Sequence, residues 1–365
     1  MLKMVRKNLK KNNYEEDFQK ILMDICVKKN KKSIKIFDIN GGQTDTLKRV
    51  VEFKDESLFI KIGEKVDREN QIYLNSFFKN ELFLEKNKIF SGGNRLVLPY
   101  LNGVTLEEVL ISEHLILNSD RLNFIKKILN KTFKMFWSQN LSSTEINLDE
   151  VIKNIEERTT MLYKENSDLA KIFSKSVIYK IDGNSVELPS IEKMLVKVLK
   201  TFTNINSSVF SCVTGDFQPS NIIITGQDFK IVDLSNGSDM ADFALDVGKF
   251  FNFINRFHCI AKVRNRTNDE TKKVGITVGQ FLIVESLDYP DLLQRKLIES
   301  LEEDFSSSIV KNNGDYTFPD RLKLYKFVVN LITIRRHLKL GVPLESLISV
   351  LVDSYYELER KVFNI

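Results

Sequence analysis

The hydrophobic pattern of this 365-residue chain changes period at Gly103, and that change limits the fold more than any single motif does. Before it, residues 34–39, 47–53 and 58–62 are short β-like runs, and residues 95–101 form another apolar run rich in Leu and Val. The polar turn Lys54, Asp55, Glu56, Ser57 joins the second run to the third, so a small antiparallel sheet is expected, with a helix over residues 67–80. After Gly103 helical spacing prevails. Thr105 and Glu108 form a capping box ahead of Leu106, Val109 and Leu110. Leu122, Ile125, Ile128, Leu129, Phe133 and Phe136 make one apolar stripe, and Ile191, Met194, Leu195, Val198, Leu199 and Phe202 make a second. Pro343 opens a last amphipathic helix through Leu344, Leu347, Leu351 and Tyr355. Ahead of the sheet, Phe18, Ile21, Leu22 and Ile25 lie at helical spacing. The expected class is α+β: a helical extension over residues 1–30, a sheet lobe over 31–101 and a large, mainly helical lobe over 102–365.

Composition sets the outer bounds. With 42% apolar and 28% charged residues the chain reads as a soluble globular protein of two or three packed units. Fifty-four basic residues against 49 acidic ones, a net charge of +5, give no case for nucleic acid, and the lysine-rich start reads as a solvated surface. No run approaches the roughly 18 apolar residues of a membrane span, so no membrane partner is expected. Cys26, Cys212 and Cys259 are widely spaced and the chain has three histidines, which supports neither a zinc site nor a disulfide framework. Acidic Glu15, Glu16 and Asp17 argue against a transit peptide, and a cytoplasmic location is expected.

One segment interrupts the helical part. Residues 221–225 and 229–234 read as a short hairpin, with Gly226 free to take positive φ in the turn. TGDFQPSN (214–221) and IVDLS (231–235) flank it, so Asp216, Asn221 and Asp233 stand at the mouths of one β-ribbon. Magnesium takes hard oxygen ligands, few of them from the protein; Asn221 and Asp233 meet that need. Asp216 is then free to accept the proton of an attacking hydroxyl, as the aspartate does in the kinase pattern D-x-x-x-x-N followed by D-F-G. Singly, these residue types also open turns, cap them and end strands. The three together, in strand-loop-strand context, point to phosphoryl transfer.

With these residues the chain resembles the aminoglycoside phosphotransferase and choline kinase-like group, which shares the bilobal protein kinase-like fold. The group's H-G-D-x-x-x-x-N is similar to Thr214, Gly215 and Asp216 through Asn221, and its I-D-F-G to Val232, Asp233, Leu234 and Ser235; Thr214 stands in place of the histidine, and Leu234-Ser235 in place of Phe-Gly. Its G-D-P-A-x-D-L-A resembles ADFALDVG, with Asp242, Ala244 and Asp246 matching. The resemblance implies that Asp246 braces the catalytic loop. It further implies that Lys61, in LFIK, contacts ATP phosphates and that Glu69 pairs with it. Alternation places Phe59 on the face of Lys61, against the adenine. Gly42 and Thr44, with Gly41 and Gln43, would lie over the triphosphate. The run through Pro99 and Leu101 would read adenine with its backbone, Leu101 donating because Pro99 has no N–H.

The function expected on these grounds is an ATP- and Mg2+-dependent O-phosphotransferase. Asp246 follows Asp233 by 13 residues, too few for a peptide platform, so the acceptor is a small hydroxylated molecule: an aminoglycoside-like antibiotic, an amino alcohol or a sugar. The replaced histidine and Phe-Gly motivate the alternative, an inactive pseudokinase serving as a nucleotide-binding or scaffolding module. Monomer and homodimer both remain open.

Overall fold

A computed structural model describes residues 2–32, 35–39, 46–64, 66–86, 90–112, 119–141, 148–181, 183–204, 211–265, 276–278, 280–285, 292–339 and 341–361. The strands are β1 (Lys35–Asp38), β2 (Leu47–Glu52), β3 (Ser57–Ile62), β4 (Arg95–Pro99), β5 (Val104–Thr105), β6 (Ser176–Ile181) and β7 (Asn184–Leu188). Then come β8 (Ser211–Val213), β9 (Ile222–Thr225), β10 (Asp228–Ile231), β11 (Ser238–Ala241), β12 (Ile276–Val278) and β13 (Phe281–Glu285). The helices are α1 (Leu2–Lys29), α2 (Val66–Ile72), α3 (Leu106–Ser112), α4 (Ser119–Met135), α5 (Leu148–Glu165) and α6 (Ser167–Phe173). They continue with α7 (Ile191–Asn204), α8 (Ala244–Asn265), α9 (Leu292–Asn313), α10 (Phe318–Lys339) and α11 (Leu344–Lys361). Two compact units emerge, one of residues 1–108, 132–140 and 212–240, the other of residues 109–131, 141–211 and 241–365.

The first unit is built on an antiparallel sheet of order β1-β2-β3-β4. Alternation sorts its side chains: Val51, Phe53, Leu58, Ile60, Ile62 and Val97 meet Phe18, Ile21 and Ile25 of α1 in one core cluster. Those three helix residues are at most 2% exposed, and full burial of such a side chain contributes about 1.5–3 kcal/mol, so α1 is an integral cover of the sheet. Arg49 of β2 adds a polar clasp, stacked 4.5 Å from the Phe18 ring and 2.7 Å from the Glu15 carboxylate. The opposite face carries Lys48, Val50, Phe59, Lys61, Leu96 and Leu98. Where a helix over residues 67–80 is expected, α2 stops at Ile72 and a separate 3-10 turn occupies Ser76–Phe78. Asn75 is the reason: its side chain accepts from the Phe77 amide at 3.1 Å and restarts the chain as a cap.

The expected hairpin is β9–β10, with Ile222 opposite Ile231 and Thr225 opposite Asp228; β5 adds a third strand beside β9. Thr105 and Glu108 form the expected capping box at α3: the Glu108 carboxylate accepts from the Thr105 amide at 2.7 Å, and the Thr105 hydroxyl accepts from the Glu108 amide at 3.1 Å.

In the second unit α10 packs against α5, α7, α8, α9 and α11. Its buried cations are each doubly matched. Arg321 reaches Asp242 at 2.7 Å and Asp315 at 2.8 Å, and Lys326 reaches Glu302 and Glu357, both at 2.9 Å. Asp242 also accepts from the Ala244 amide at 2.9 Å, which caps α8. This part of the chain is less uniformly helical than its periodicity predicts, because it contains a second sheet of order β12-β13-β6-β7. β13 and β6 pair in parallel, Phe281 opposite Ser176, across about a hundred residues, a pairing that local periodicity cannot register.

Candidate active site

Lys61 is the centre of one cluster. It lies on the β3 face turned away from α1, and its ammonium donates to Glu69 of α2 at 2.7 Å and to Asp233 at 3.1 Å. Lys61 is 6% exposed and Glu69 1%, so this contact is desolvated, which is the condition for an ion pair to do more than decorate a surface. Burial acts to drive the Lys61 ammonium toward neutrality, but Glu69 and Asp233 outweigh it and hold the group above its usual range. The Glu69 carboxyl is pushed up, first by burial and then by the like charge of Asp233 against the pull of Lys61. Asp233 goes the other way: burial opposes its charge, and Lys61, Ser235 and Lys48 together hold it below the ordinary aspartate range. One turn beyond Glu69 the buried Tyr73 phenol is raised well above its usual value by burial and then by both carboxylates.

Asp233 takes φ 61°, in the left-handed region that a residue with a Cβ seldom adopts. Such strain persists only where neighbours hold it, and it collects at functional sites. Here the hairpin does the holding, since the Val232 amide donates to the Asn221 carbonyl at 2.9 Å, one step beyond the last ladder pair. The register therefore sets Val232 against Asn221, with Asp233 the next residue along the chain.

The second cluster is the loop before that hairpin. The Asn221 side-chain amide donates to the Asp216 carbonyl at 3.0 Å and to an Asp216 carboxylate oxygen at 3.2 Å, and Gln218 donates to the same oxygen at 3.1 Å. Thr214 is buried and accepts from the Asp216 amide at 3.3 Å. Gly215 turns the chain with φ 69°; a Cβ there would lie 1.9 Å from the Asn236 carbonyl oxygen, so the loop packs directly onto the segment after Asp233. Phe217 is fully buried, edge-on to Trp137 with ring centroids 5.0 Å apart, which anchors the loop from below.

The donor set suits a hard divalent cation. The Asn221 nitrogen is committed to Asp216, which leaves the amide oxygen as its ligating atom, and the Asp233 side chain is 33% exposed. Among the described residues no three or more His, Cys, Asp or Glu form a metal cluster. A cation here would have two protein ligands and complete its shell from phosphate and water, the habit of magnesium.

Of the other residues expected at the site, Phe59 is half-buried opposite Val50 and Leu98, on the face of Lys61. Pro99, exposed, pairs with Leu58 three residues along β3, roughly 10 Å from the level of Lys61, and the Leu101 carbonyl after it accepts from Gly103 at 3.1 Å. Gly42 and Thr44 lie outside the described residues. Asp246 is fully buried in the first turn of α8. Sequence reasoning missed Gln218, which carries no motif signal, and the Trp137–Phe217 contact, which joins residues far apart in the chain. It also missed Lys48, which counting register back through the 54–57 turn would have found.

No protein-family model matches the chain, and no curated protein sequence does. Solved structures do. A thermostable mutant of aminoglycoside phosphotransferase APH(4)-Ia, in ternary complex with ADP and hygromycin B, superposes with a TM-score of 0.53 at 10% identity, covering 93% of this chain and 96% of that one. Choline kinase from Cryptosporidium parvum Iowa II gives 0.52 at 12% identity, covering 95% and 96%. Glucosamine kinase in complex with glucosamine, ADP and inorganic phosphate gives 0.51 at 12%, covering 90% and 81%. At these identities the likeness is one of fold, and the chain has the α+β, kinase-like fold shared by aminoglycoside phosphotransferases and choline kinases.

Proposed function

We propose that the protein is an ATP- and magnesium-dependent O-phosphotransferase acting on the hydroxyl of a small molecule. The observation that carries this reading is the desolvated Lys61–Glu69 pair in contact with Asp233, joined through the hairpin to Asn221 and Asp216. Fold alone does not set function; a cation, two hard-oxygen donors and a carboxylate base within one unit are the parts phosphoryl transfer requires. The neighbours support the same class, since their structures hold ADP, hygromycin B or glucosamine.

In this reading Asp216 accepts the proton of the acceptor hydroxyl as its oxygen attacks the terminal phosphorus, and the bond from that phosphorus to the bridging oxygen breaks to release ADP. Asn221 and Gln218 aim that carboxylate. Asn221 and Asp233 hold magnesium, which when bound neutralises charge on the phosphates, and Lys61, kept in place by Glu69, binds the phosphate chain. Phe59 lines the adenine pocket, with the backbone at Pro99 and Leu101 beside it and Gly42 and Thr44 over the triphosphate.

The test is ATP turnover with magnesium over a panel of aminoglycosides, amino alcohols and amino sugars. Asp216→Ala should abolish transfer while nucleotide affinity is nearly kept, whereas Asp233→Ala should weaken magnesium-nucleotide binding as well. Tight nucleotide binding without transfer to any acceptor, unchanged by Asp216→Asn, would favour the pseudokinase reading instead.

A further inference from the structure

A groove of about 310 Å³ lies between α9 on one side and α10 and α11 on the other, wholly within the second unit. Its volume suits a small organic molecule. Two polar side chains of its lining, Glu302 and Ser306, are 6% and 7% exposed. They stand four residues apart on α9, so their Cβ atoms are about 5–6 Å apart on one face of the helix. Polar groups buried that deeply are normally hydrogen-bonded, and this pair carries two open positions. Glu302 commits Oε2 to the Lys326 ammonium at 2.9 Å, and no group among the described residues donates to its Oε1. The Ser306 hydroxyl has no hydrogen bond among the described residues. A buried helical serine ordinarily bonds a carbonyl about one turn back. Ser308 does so to Phe305 at 2.7 Å, and Ser354 to Leu351 at 2.8 Å. The other carboxylates of the lining have partners of their own.

The open positions select their ligand. A carboxylate oxygen only accepts and a hydroxyl can accept, so one group with several N–H donors satisfies both. A charged donor makes the stronger bond to a carboxylate, which favours an ammonium over an amide or an alcohol. A metal ion fits worse, because among the described residues no three His, Cys, Asp or Glu gather into a metal group. The apolar lining residues are Val310 and Pro319, and Val310 lies one turn past Ser306, about 6 Å along the helix axis, the reach of a butyl chain. We propose that this groove binds a small aliphatic amine, its ammonium held between Glu302 Oε1 and Ser306 Oγ and its carbon chain running along α9 toward Val310 and Pro319. Burial pushes the Glu302 carboxyl up although Lys326 pulls it down, so a second cation at Oε1 favours its charged form.

The experiment is ligand-observed NMR titration of the full chain with butylamine, butanol and butyrate, for wild type, Ser306→Ala, Glu302→Gln and Asp216→Ala. Butylamine should bind to wild type, and butanol and butyrate should not. Ser306→Ala and Glu302→Gln should each weaken butylamine about tenfold, the size of a lost hydrogen bond to a charged group. Ser306→Ala should melt no lower than wild type, because its hydroxyl has no partner to lose. Glu302→Gln also removes a partner of Lys326, and should it fail to fold, Ser306→Ala alone decides. Asp216→Ala should leave butylamine affinity as it is, which separates the groove from an acceptor site. A wild-type chain that binds no butylamine would overturn the inference. So would affinity unchanged by Ser306→Ala, or affinity lost with Asp216→Ala. Butyrate binding more tightly than butylamine would also overturn it, giving the groove to the lysines of its lining, Lys311 and Lys323.

Discussion

Substituting Glu69 by glutamine tests the wiring of the site, because Glu69 is expected to touch neither nucleotide nor metal. The change keeps shape and hydrogen-bonding capacity and deletes one charge. At an effective dielectric of about 20, the Coulomb attraction between unit charges is about 6 kcal/mol at the 2.7 Å of Lys61–Glu69 and about 5 kcal/mol at the 3.1 Å of Lys61–Asp233. Lys61 therefore retains a partner of nearly equal strength. Removing one member of a buried pair typically costs about 3–5 kcal/mol; here the loss should be smaller, roughly 2–3 kcal/mol in urea unfolding of the nucleotide-free chain. A second consequence falls on Asp233. Without the glutamate, the ammonium has only that carboxylate, and magnesium must compete for it. Magnesium AMP-PNP should bind at least about tenfold more weakly, a cost of about 1.4 kcal/mol, while adenosine binds as before. Unchanged stability together with unchanged nucleotide affinity would show that Glu69 neither holds Lys61 nor shields Asp233, and would refute this account of the site.

Gly215→Ala should cost at least roughly 2–3 kcal/mol, because the residue has φ 69° and its new methyl would meet the Asn236 carbonyl at 1.9 Å; urea unfolding checks it, and a loss below about 0.5 kcal/mol would mean the loop moves aside. In the second unit the hydrogen bond from Arg335 to Glu165, helped by Lys339, holds the carboxyl down at about 2 from a usual 4.5. A depressed carboxylate stabilises the fold above its unfolded value and loses that contribution as pH falls. The melting-point difference between wild type and Glu165→Gln should thus be constant above pH 4.5 and vanish as pH falls through about 2; a difference that persists there would contradict the pairing.

Much of the fold was legible because its signals are local. Period-2 runs before Gly103, the 54–57 turn and the Thr105–Glu108 capping box each encode one element within a few residues, and each forms. The Asp216–Asn221–Asp233 spacing was legible for the same reason: one loop and one hairpin hold all three, so chain connectivity alone brings Asn221 to Asp216 and Asp233 to the same end of the ribbon. Only the tertiary structure decided what meets them. Lys61 reaches Asp233 across 172 residues, a distance over which no periodicity carries information. Whether Lys61–Glu69 is a surface ornament or a desolvated pair depends on burial, which is a property of the packed unit. The parallel β6–β13 pairing was invisible because no turn links its strands. The sequence by itself specified which residue types stand at the mouths of one hairpin; three-dimensional packing decided that a buried ammonium joins them, and that a second lysine stands opposite it.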